Sequence, residues 1–161
     1  MAWLYGRNRP NCGGYRVACG FPSGVARIEA MKLLIDTHIW LWSLLEPARL
    51  SRRVKRALEN PANELWLSPI SVWETLVLSE KGRLRLQPDG RTWISTALSA
   101  TVLRDAALTH EVAVATGNIN LPHVDPADRF LAATAQVYGL TLVTSDENLL
   151  TGSGYAVLAN R

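Results

Sequence analysis

The stretch MKLLIDTH at residues 31–38 decides the fold class, because a short apolar run is followed directly by an acid. The run at 32–35 is too apolar for a strand with one face in water, and it is typical of a strand buried in a parallel sheet. Similar runs follow at 64–67 and 140–144, with amphipathic segments between them. This alternation predicts an α/β fold, a three-layer α/β/α sandwich with a mainly parallel central sheet.

Polar residues mark the expected helix starts. The predicted N-caps are, in chain order, Thr37, Ser51, Ser68, Thr109 and Asp125. In the helix after Ser68, apolar residues at helical spacing are expected to form the buried stripe, namely Ile70, Trp73 and Val77. Weaker patterns predict two further strands, one within 102–108 and one at 155–158.

Residues 1–30 differ from the rest of the chain. They contain several glycines and prolines without helical or strand periodicity, and they lack the apolar stretch of about 7–15 residues that a signal peptide needs. Two interpretations stay open, an extended gene start with Met31 as the natural initiator or a flexible arm. Both place the folded domain at 31–161, and deletion of residues 2–30 should leave folding and activity intact.

The net charge of +3 gives little information about a ligand, because it comes from the leading segment. Residues 1–30 hold four basic residues and one acid, which leaves thirteen of each sign in 31–161. Cys12 and Cys19, without further Cys or nearby His, indicate neither a zinc site nor a disulfide framework. No apolar run reaches the roughly 20 residues that cross a bilayer. We therefore expect a soluble, cytoplasmic protein that does not engage a membrane.

Four acids are placed where this fold would bring them together. Asp36 follows the first strand directly, and Asp146 follows the strand at 140–144 by two residues. Glu74 and Asp128 lie in the first turns of helices. Because ligands of open α/β sheets bind beyond the carboxyl ends of the strands, we expect the four acids to converge there. Each also has a structural interpretation, as a cap, a turn residue or, for Glu74, a solvent-facing side chain.

A cluster of carboxylates needs a counter-charge. Like charges a few ångström apart raise one another's pKa, and a divalent cation relieves the repulsion. Carboxylate oxygens without Cys or clustered His favour hard ions. The sequence therefore predicts a Mg²⁺ or Mn²⁺ site at Asp36, Glu74, Asp128 and Asp146.

The roles of several other polar and aromatic residues stay open. Those next to the acids are Asp125, which is expected to cap a helix, His38, His123 and Arg129, which could contact a phosphate or pair with an acid. A basic run could be a solvated helix face or could steer a phosphate backbone; it consists of Arg49, Arg52, Arg53, Lys55 and Arg56. Five tryptophans are expected in the core or on a dimer surface rather than as base-stacking platforms, namely Trp40, Trp42, Trp66, Trp73 and Trp93.

Four segments together resemble the PIN-domain family. Residues 31–38 look like the opening strand and first acid of PIN domains, and 68–74 resemble the segment with the second acid. Residues 121–129 and 142–146 are similar to the segments that carry the third and fourth acids. Each motif is weak alone, but four in unbroken order are fairly specific, and residues 1–30 match nothing in the family.

The resemblance is to the VapC-like toxins within that family. It implies an α/β/α fold, Mg²⁺- or Mn²⁺-dependent endonucleolytic cleavage of single-stranded or structured RNA, a homodimer, and inhibition by a cognate antitoxin. It assigns the metal site to Asp36, Glu74, Asp128 and Asp146. The alternative is a non-catalytic RNA- or protein-binding module on the same fold. A phosphatase with an aspartyl nucleophile is disfavoured, because His38 stands where a second acid is usual and no glycine-rich phosphate cradle is present.

Overall fold

The computed structural model describes residues 30–121 and 125–161. Its sheet has five strands, all parallel, in the order β3-β2-β1-β4-β5. The strands are β1 (Lys32–Ile35), β2 (Glu64–Leu67), β3 (Arg104–Asp105), β4 (Thr141–Thr144) and β5 (Ala156–Ala159). The predicted parallel α/β sheet is therefore confirmed, with the first strand at its centre.

Seven α-helices occur in the described part of the chain. They are α1 (Thr37–Leu45), α2 (Arg52–Glu59), α3 (Pro69–Glu80), α4 (Gly90–Ala100), α5 (His110–Ala115), α6 (Pro126–Tyr138) and α7 (Glu147–Thr151). Short 3₁₀ turns cover Pro47–Arg49 and Thr116–Asn118. None of the described helices is both long and apolar enough to cross a bilayer.

The sheet separates two apolar cores, because successive side chains of a strand point to opposite faces. Leu33 and Ile35 of β1 pack with α1, α2 and α4 on one side. Leu34 packs with α5, α6 and α7 on the other. All three residues are almost completely buried. Helices on both faces of one sheet give the three layers that the sequence predicts.

Most of the predicted caps are confirmed. The hydroxyl of Ser51 accepts from the N–H of Val54 at 3.3 Å, and the Asp125 carboxylate accepts from the N–H of Ala127 at 2.9 Å. Ser68 and Thr109 cap α3 and α5 in the same way. Gly139 ends α6 with a left-handed φ of 61°, which a glycine adopts without steric cost.

The predicted start of α1 is wrong by one residue. Asp36, not Thr37, is the N-cap residue, and the Asp36 side chain makes no capping hydrogen bond. Thr37 is the first helical residue, and its hydroxyl donates to the Glu74 carboxylate instead. A tertiary partner on α3 therefore replaces the local capping contact that the sequence suggested.

The predicted buried stripe of α3 is also wrong. Trp73 is 55% exposed, whereas Ser71 and Thr75 are fully buried. The helix contacts α1, α4 and α6, and small side chains allow helices to approach closely. Apolar spacing alone could not reveal this, because the packed face of α3 carries hydroxyl groups.

Some of the sequence interpretations lie outside the described residues. They concern residues 1–29, with Cys12 and Cys19, and His123.

Candidate active site

The carboxyl ends of β1 and β4 form the switch point of the sheet. The chain leaves β1 toward β2 and β3 and later returns to β4 on the other side of β1. In open α/β sheets a crevice for ligands opens at this point. Asp36 directly follows β1, and Asp146 follows β4 by two residues. The topology therefore places these two acids on either side of the crevice.

Asp36 is the most enclosed of the four acids, with only 4% of its surface exposed. Its Oδ2 accepts a hydrogen bond from the Thr144 hydroxyl at 2.7 Å. Burial raises the pKa of Asp36 above its ordinary value, against the lowering effects of the Thr144 hydrogen bond and of His38. Asp36 is thus a buried acid at the carboxyl end of β1, in surroundings that disfavour its charge.

Thr144 joins the two sides of the crevice, and the sequence analysis missed it. Besides donating to Asp36, its hydroxyl accepts from the N–H of Asp146 at 3.0 Å. Thr144 is fully buried at the end of β4. A buried hydroxyl that closes an apolar strand is the signal that could have found it. Asp146 also caps α7 by accepting from the N–H of Asn148 at 2.8 Å, so its structural interpretation is correct for one oxygen.

Glu74 reaches the crevice from α3. Its Oε2 accepts from the Thr37 hydroxyl at 2.5 Å, so the side chain faces α1 rather than open solvent. Burial raises the pKa of Glu74, the hydrogen bond lowers it, and the charges of Asp36 and Asp125 raise it further. The contact from Thr37 fixes the orientation of this carboxylate relative to Asp36.

Asp128 is the acid whose pKa responds to the charges of all the other acids of the site. It is half-buried in the first turn of α6. Burial raises the pKa of Asp128 to about 7, and the negative charges of four further carboxylates contribute, those of Asp146, Asp125, Asp36 and Glu74. Within 30–121 and 125–161, Asp128 makes no capping-box hydrogen bond to the N–H of Asp125. Asp128 is therefore within electrostatic range of the other three predicted acids.

Tyr155 is a second residue that the sequence did not suggest for the site. Its hydroxyl donates to the Leu149 carbonyl at 2.7 Å. Burial and the charges of Asp128 and Asp146 raise the pKa of Tyr155 to about 12. The phenol therefore borders the same acids and stays neutral at physiological pH.

Asp125, His38 and Arg129 are the neighbours of the acids whose roles the sequence did not decide. Asp125 caps α6. His38 is exposed on α1. Arg129 donates from Nη1 to the Ile119 carbonyl at 3.2 Å, and its buried Nε has no hydrogen-bond partner. Among the described residues Arg129 forms no ion pair with an acid.

Residues 33–151 match the PIN domain family. This chain belongs to that family. It is 36% identical over 120 residues to Ribonuclease VapC22 of Mycobacterium tuberculosis, a match that covers 73% of this chain and 88% of that protein. Its fold is similar to chains in the crystal structure of VapBC2 from Rickettsia felis bound to a DNA fragment from their promoter (TM-score 0.60, 16% identity, 80% of this chain and 98% of the other). Its fold is also similar to a chain in the crystal structure of DNA-bound VapBC from Salmonella typhimurium (TM-score 0.60, 18% identity, 81% of this chain and 99% of the other).

The donor chemistry of this PIN domain fits a hard divalent cation. Each of the four predicted ligands supplies carboxylate oxygens, the ligand type that Mg²⁺ and Mn²⁺ prefer. Burial is the largest cause of the raised pKa values of Asp36, Glu74 and Asp128, and neighbouring carboxylates add to it, so a cation bound beside these acids would stabilise their ionised forms. In the described parts of the chain, no three of the acidic, His or Cys side chains are already drawn together around a common point.

Proposed function

We propose that this PIN domain protein is a Mg²⁺- or Mn²⁺-dependent endoribonuclease that cleaves single-stranded or structured RNA as the toxin of a toxin–antitoxin pair. The observation that carries the proposal is the placement of acids from four separate elements at the carboxyl ends of β1 and β4, where burial and the surrounding carboxylates also raise the pKa of Asp128 to about 7. Such crowding at a switch point is costly to the fold and is useful if a cation binds there. The 36% identity to Ribonuclease VapC22 supports RNA as the substrate.

The proposed roles of the acids follow from their positions. Asp36, Glu74 and Asp128 would hold the cation, and Asp146 would complete this site or a second one. The cation would activate water for attack and neutralise charge on the phosphodiester oxygens, which yields a 5′-phosphate and a 3′-hydroxyl.

Two hydroxyl groups support these acids. Thr144 fixes one oxygen of Asp36, and Thr37 fixes one oxygen of Glu74. These contacts set the directions of the carboxylates before substrate arrives, which reduces the reorganisation that catalysis requires. Neither hydroxyl needs to exchange a proton with the substrate.

The partners belong to the same proposal. A solved toxin–antitoxin complex from Klebsiella pneumoniae contains a chain of similar fold (TM-score 0.51, 21% identity), which supports an antitoxin as partner. The exposed Trp73 on α3 supports a homodimer, because a large apolar side chain on a surface helix is typical of an interface. We place the protein in the cytoplasm, where RNA and an antitoxin would both be accessible.

A cleavage assay on single-stranded RNA tests the enzyme assignment. We expect cleavage with Mg²⁺ or Mn²⁺ and none with EDTA. Asp36→Asn keeps an oxygen that can accept from Thr144, so it should remain folded while cleavage falls by about 100-fold or more. Asp89→Asn, at an exposed cap of α4, is the matched control and should cleave normally.

Two results would contradict the proposal. Cleavage that persists in EDTA would remove the metal requirement, and unchanged cleavage by Asp36→Asn would remove Asp36 from the site. If the wild-type protein binds RNA but never cleaves it, the alternative of a non-catalytic binding module is correct.

A further inference from the structure

Positive charge is concentrated between α1 and α2. Residues 49–56 contain five cations and no acid, which leaves eight basic and thirteen acidic residues in the remainder of 31–161. Arg52, Arg53 and Arg56 of α2 are exposed, while Val54 and Ala57 of the same helix are buried. The apolar face of α2 therefore packs on the core, and its cationic face points outward.

This charge is placed where it costs the folded chain stability. Arg52 and Arg53 are the first two residues of α2, at the positive end of the helix dipole, and no acid lies in that turn. Arg56 follows them by one turn and adds like-charge repulsion. Among the described residues none of these three arginines has an ion-pair partner. An anionic ligand would offset each of these unfavourable terms.

Two side-chain contacts, a tilted contact of His38 with Trp42 and the Arg49 guanidinium stacked on Trp42, link this charge to the candidate active site. His38, two residues after Asp36, lies against Trp42 with 5.8 Å between the ring centroids. The guanidinium of Arg49 lies over the Trp42 ring at 4.1 Å from its centroid. Arg49 ends the 3₁₀ turn that leads into α2. We use the name basic track for the linked side chains of His38, Trp42 and Arg49 together with the exposed arginines of α2 that follow in the chain, Arg52, Arg53 and Arg56.

Glu46 does not neutralise the track. Its carboxylate is 3.9 Å from the Arg49 guanidinium, and both side chains are more than half exposed. Ion pairs of this kind contribute little to stability, and a phosphate can replace the carboxylate. Arg49 can therefore contact an anion without leaving its position over Trp42.

This combination matches the chemistry of single-stranded nucleic acid. Arginines bind phosphates, and aromatic or guanidinium planes stack on bases that are free of a partner strand. A duplex hides the faces of its bases, and an acidic protein would need the arginines but not the stack. Because His38, Trp42 and Arg49 contact one another and lie between Asp36 and Arg52 in the chain, one strand could contact all three groups.

We propose that the basic track binds single-stranded RNA, with phosphates on Arg52, Arg53 and Arg56 and a base stacked on the Arg49 guanidinium that Trp42 supports, and guides the strand to the acids at the switch point. The proposal rests on the proposed function and names the surface that its substrate uses. It also changes the interpretation of Trp42, which the sequence assigned to the core or a dimer surface. Trp42 is partly packed on the core, but the two side chains that contact it, Arg49 and His38, are exposed.

Binding measured without cleavage tests the track. The probe is a fluorescein-labelled single-stranded RNA of mixed sequence and roughly 20 nucleotides, long enough to cover such a site, with anisotropy followed in EDTA at several salt concentrations. Arg52→Gln with Arg53→Gln removes two track cations. Arg83→Gln with Arg85→Gln removes two exposed cations elsewhere and is the matched control.

The salt dependence gives the expected magnitude. Each phosphate contact on a single strand contributes about 0.7 to the slope of log affinity against log salt, so the track variant should lose about 1.4 from that slope and the control nothing. At about 0.1 M salt the track variant should bind about tenfold more weakly. Equal losses in both double variants, or no loss in the track variant, would overturn the proposal.

Trp42 is tested separately, because it also packs on the core. Trp42→Leu should weaken binding about fivefold or more, while Trp42→Phe should keep most of the affinity. Thermal unfolding of both variants shows whether they remain folded. Equal binding by a folded Trp42→Leu variant, or equal affinity for a blunt duplex of the same sequence, would contradict base stacking.

A competitor separates RNA from a protein partner. Polyglutamate should displace the labelled RNA poorly, and displacement as efficient as that by unlabelled RNA would overturn the proposal in favour of an acidic protein. Because EDTA suppresses cleavage, the result does not depend on catalysis. Track-dependent binding by a protein that never cleaves would refute the nuclease assignment and leave the track in place.

Discussion

Replacing Asp128 with Asn should stabilise the protein without divalent cations, although Asp128 is a proposed metal ligand. Burial and the neighbouring carboxylates raise the pKa of Asp128 from 3.8 to about 7. With a raised pKa, the folded state holds its proton at pH values where the unfolded chain has lost it. The resulting stability is present at acid pH and is lost as the pH rises through about 7. Asn carries no charge, so the variant should escape this loss.

The stability that Asp128→Asn gains is the balance of two opposing effects. A change in the pKa of Asp128 from 3.8 to about 7 corresponds to a loss of folding stability of at most about 4 kcal/mol. Solvent screening reduces this several-fold, because Asp128 is only half-buried. Loss of a favourable anion in the first turn of α6 costs about 0.3–1 kcal/mol. The net gain should be about 1 kcal/mol near pH 8, equivalent to about 2–4 °C in Tm.

Thermal unfolding in EDTA measures the effect. The Tm of Asp128→Asn should exceed that of wild type by more near about pH 8 than near about pH 5, because the loss in wild type begins at the unfolded-state pKa of 3.8 and is complete only above about 7. Asp89→Asn is the control, because Asp89 is an exposed cap whose pKa is lowered by Thr92, and its loss should raise Tm at neither pH. A divalent cation at about 100 times its Kd should add about 2.7 kcal/mol to wild type and less to Asp128→Asn. Equal destabilisation of Asp128→Asn at both pH values would refute the reasoning.

Three further substitutions test parts of the fold. Thr37→Val should lower the free energy of unfolding by about 1–3 kcal/mol, because Glu74 loses a charge-assisted hydrogen bond, and Thr37→Ser should restore most of it in urea titrations. Gly139→Ala should cost about 1–2 kcal/mol because φ is 61°, whereas Gly117→Ala, at ordinary φ with open space around it, should cost much less in the same titration. Trp73→Ala should change unfolding by less than about 0.5 kcal/mol but weaken self-association in sedimentation experiments; an unchanged dimer would show that this part of α3 lies outside the interface.

The central strands could be predicted because each contains a short apolar run, which is typical of a strand in a parallel sheet. The predicted runs at 32–35 and 64–67 coincide with β1 and β2, and the predicted run at 140–144 begins one residue before β4. The edge strand β3 is different, since it has two residues, both exposed, and carries no periodicity. Its pairing with β2 comes from tertiary position, so the sequence indicated only a broad region around it.

Some residues of the candidate site could also be predicted from the sequence, and others could not. The positions of the acids could be predicted, because strand ends and helix starts fix them without knowledge of distant contacts. Thr37 and Thr144 could not, since each acts through a hydrogen bond to a residue 37 or 108 positions away. Tyr155 was missed because its approach to Asp128 and Asp146 depends on the packing of the last strand. Local rules thus located the charges, and only the tertiary structure located the groups that orient them.

The position of β1 sets an order of events during synthesis. Its neighbour β2 follows soon in the chain, but the Thr144 hydroxyl that reaches Asp36 is made 108 residues later, after about 5–20 s of translation. Strands β1 to β3 can gather before β4 emerges from the ribosome, while closure over the longer span is slow. A nascent or truncated chain that ends before Thr141 already carries Asp36, Glu74 and Asp128 but has no second wall for the crevice. We therefore expect the proposed metal site to be complete only after β4 and Asp146 have been made.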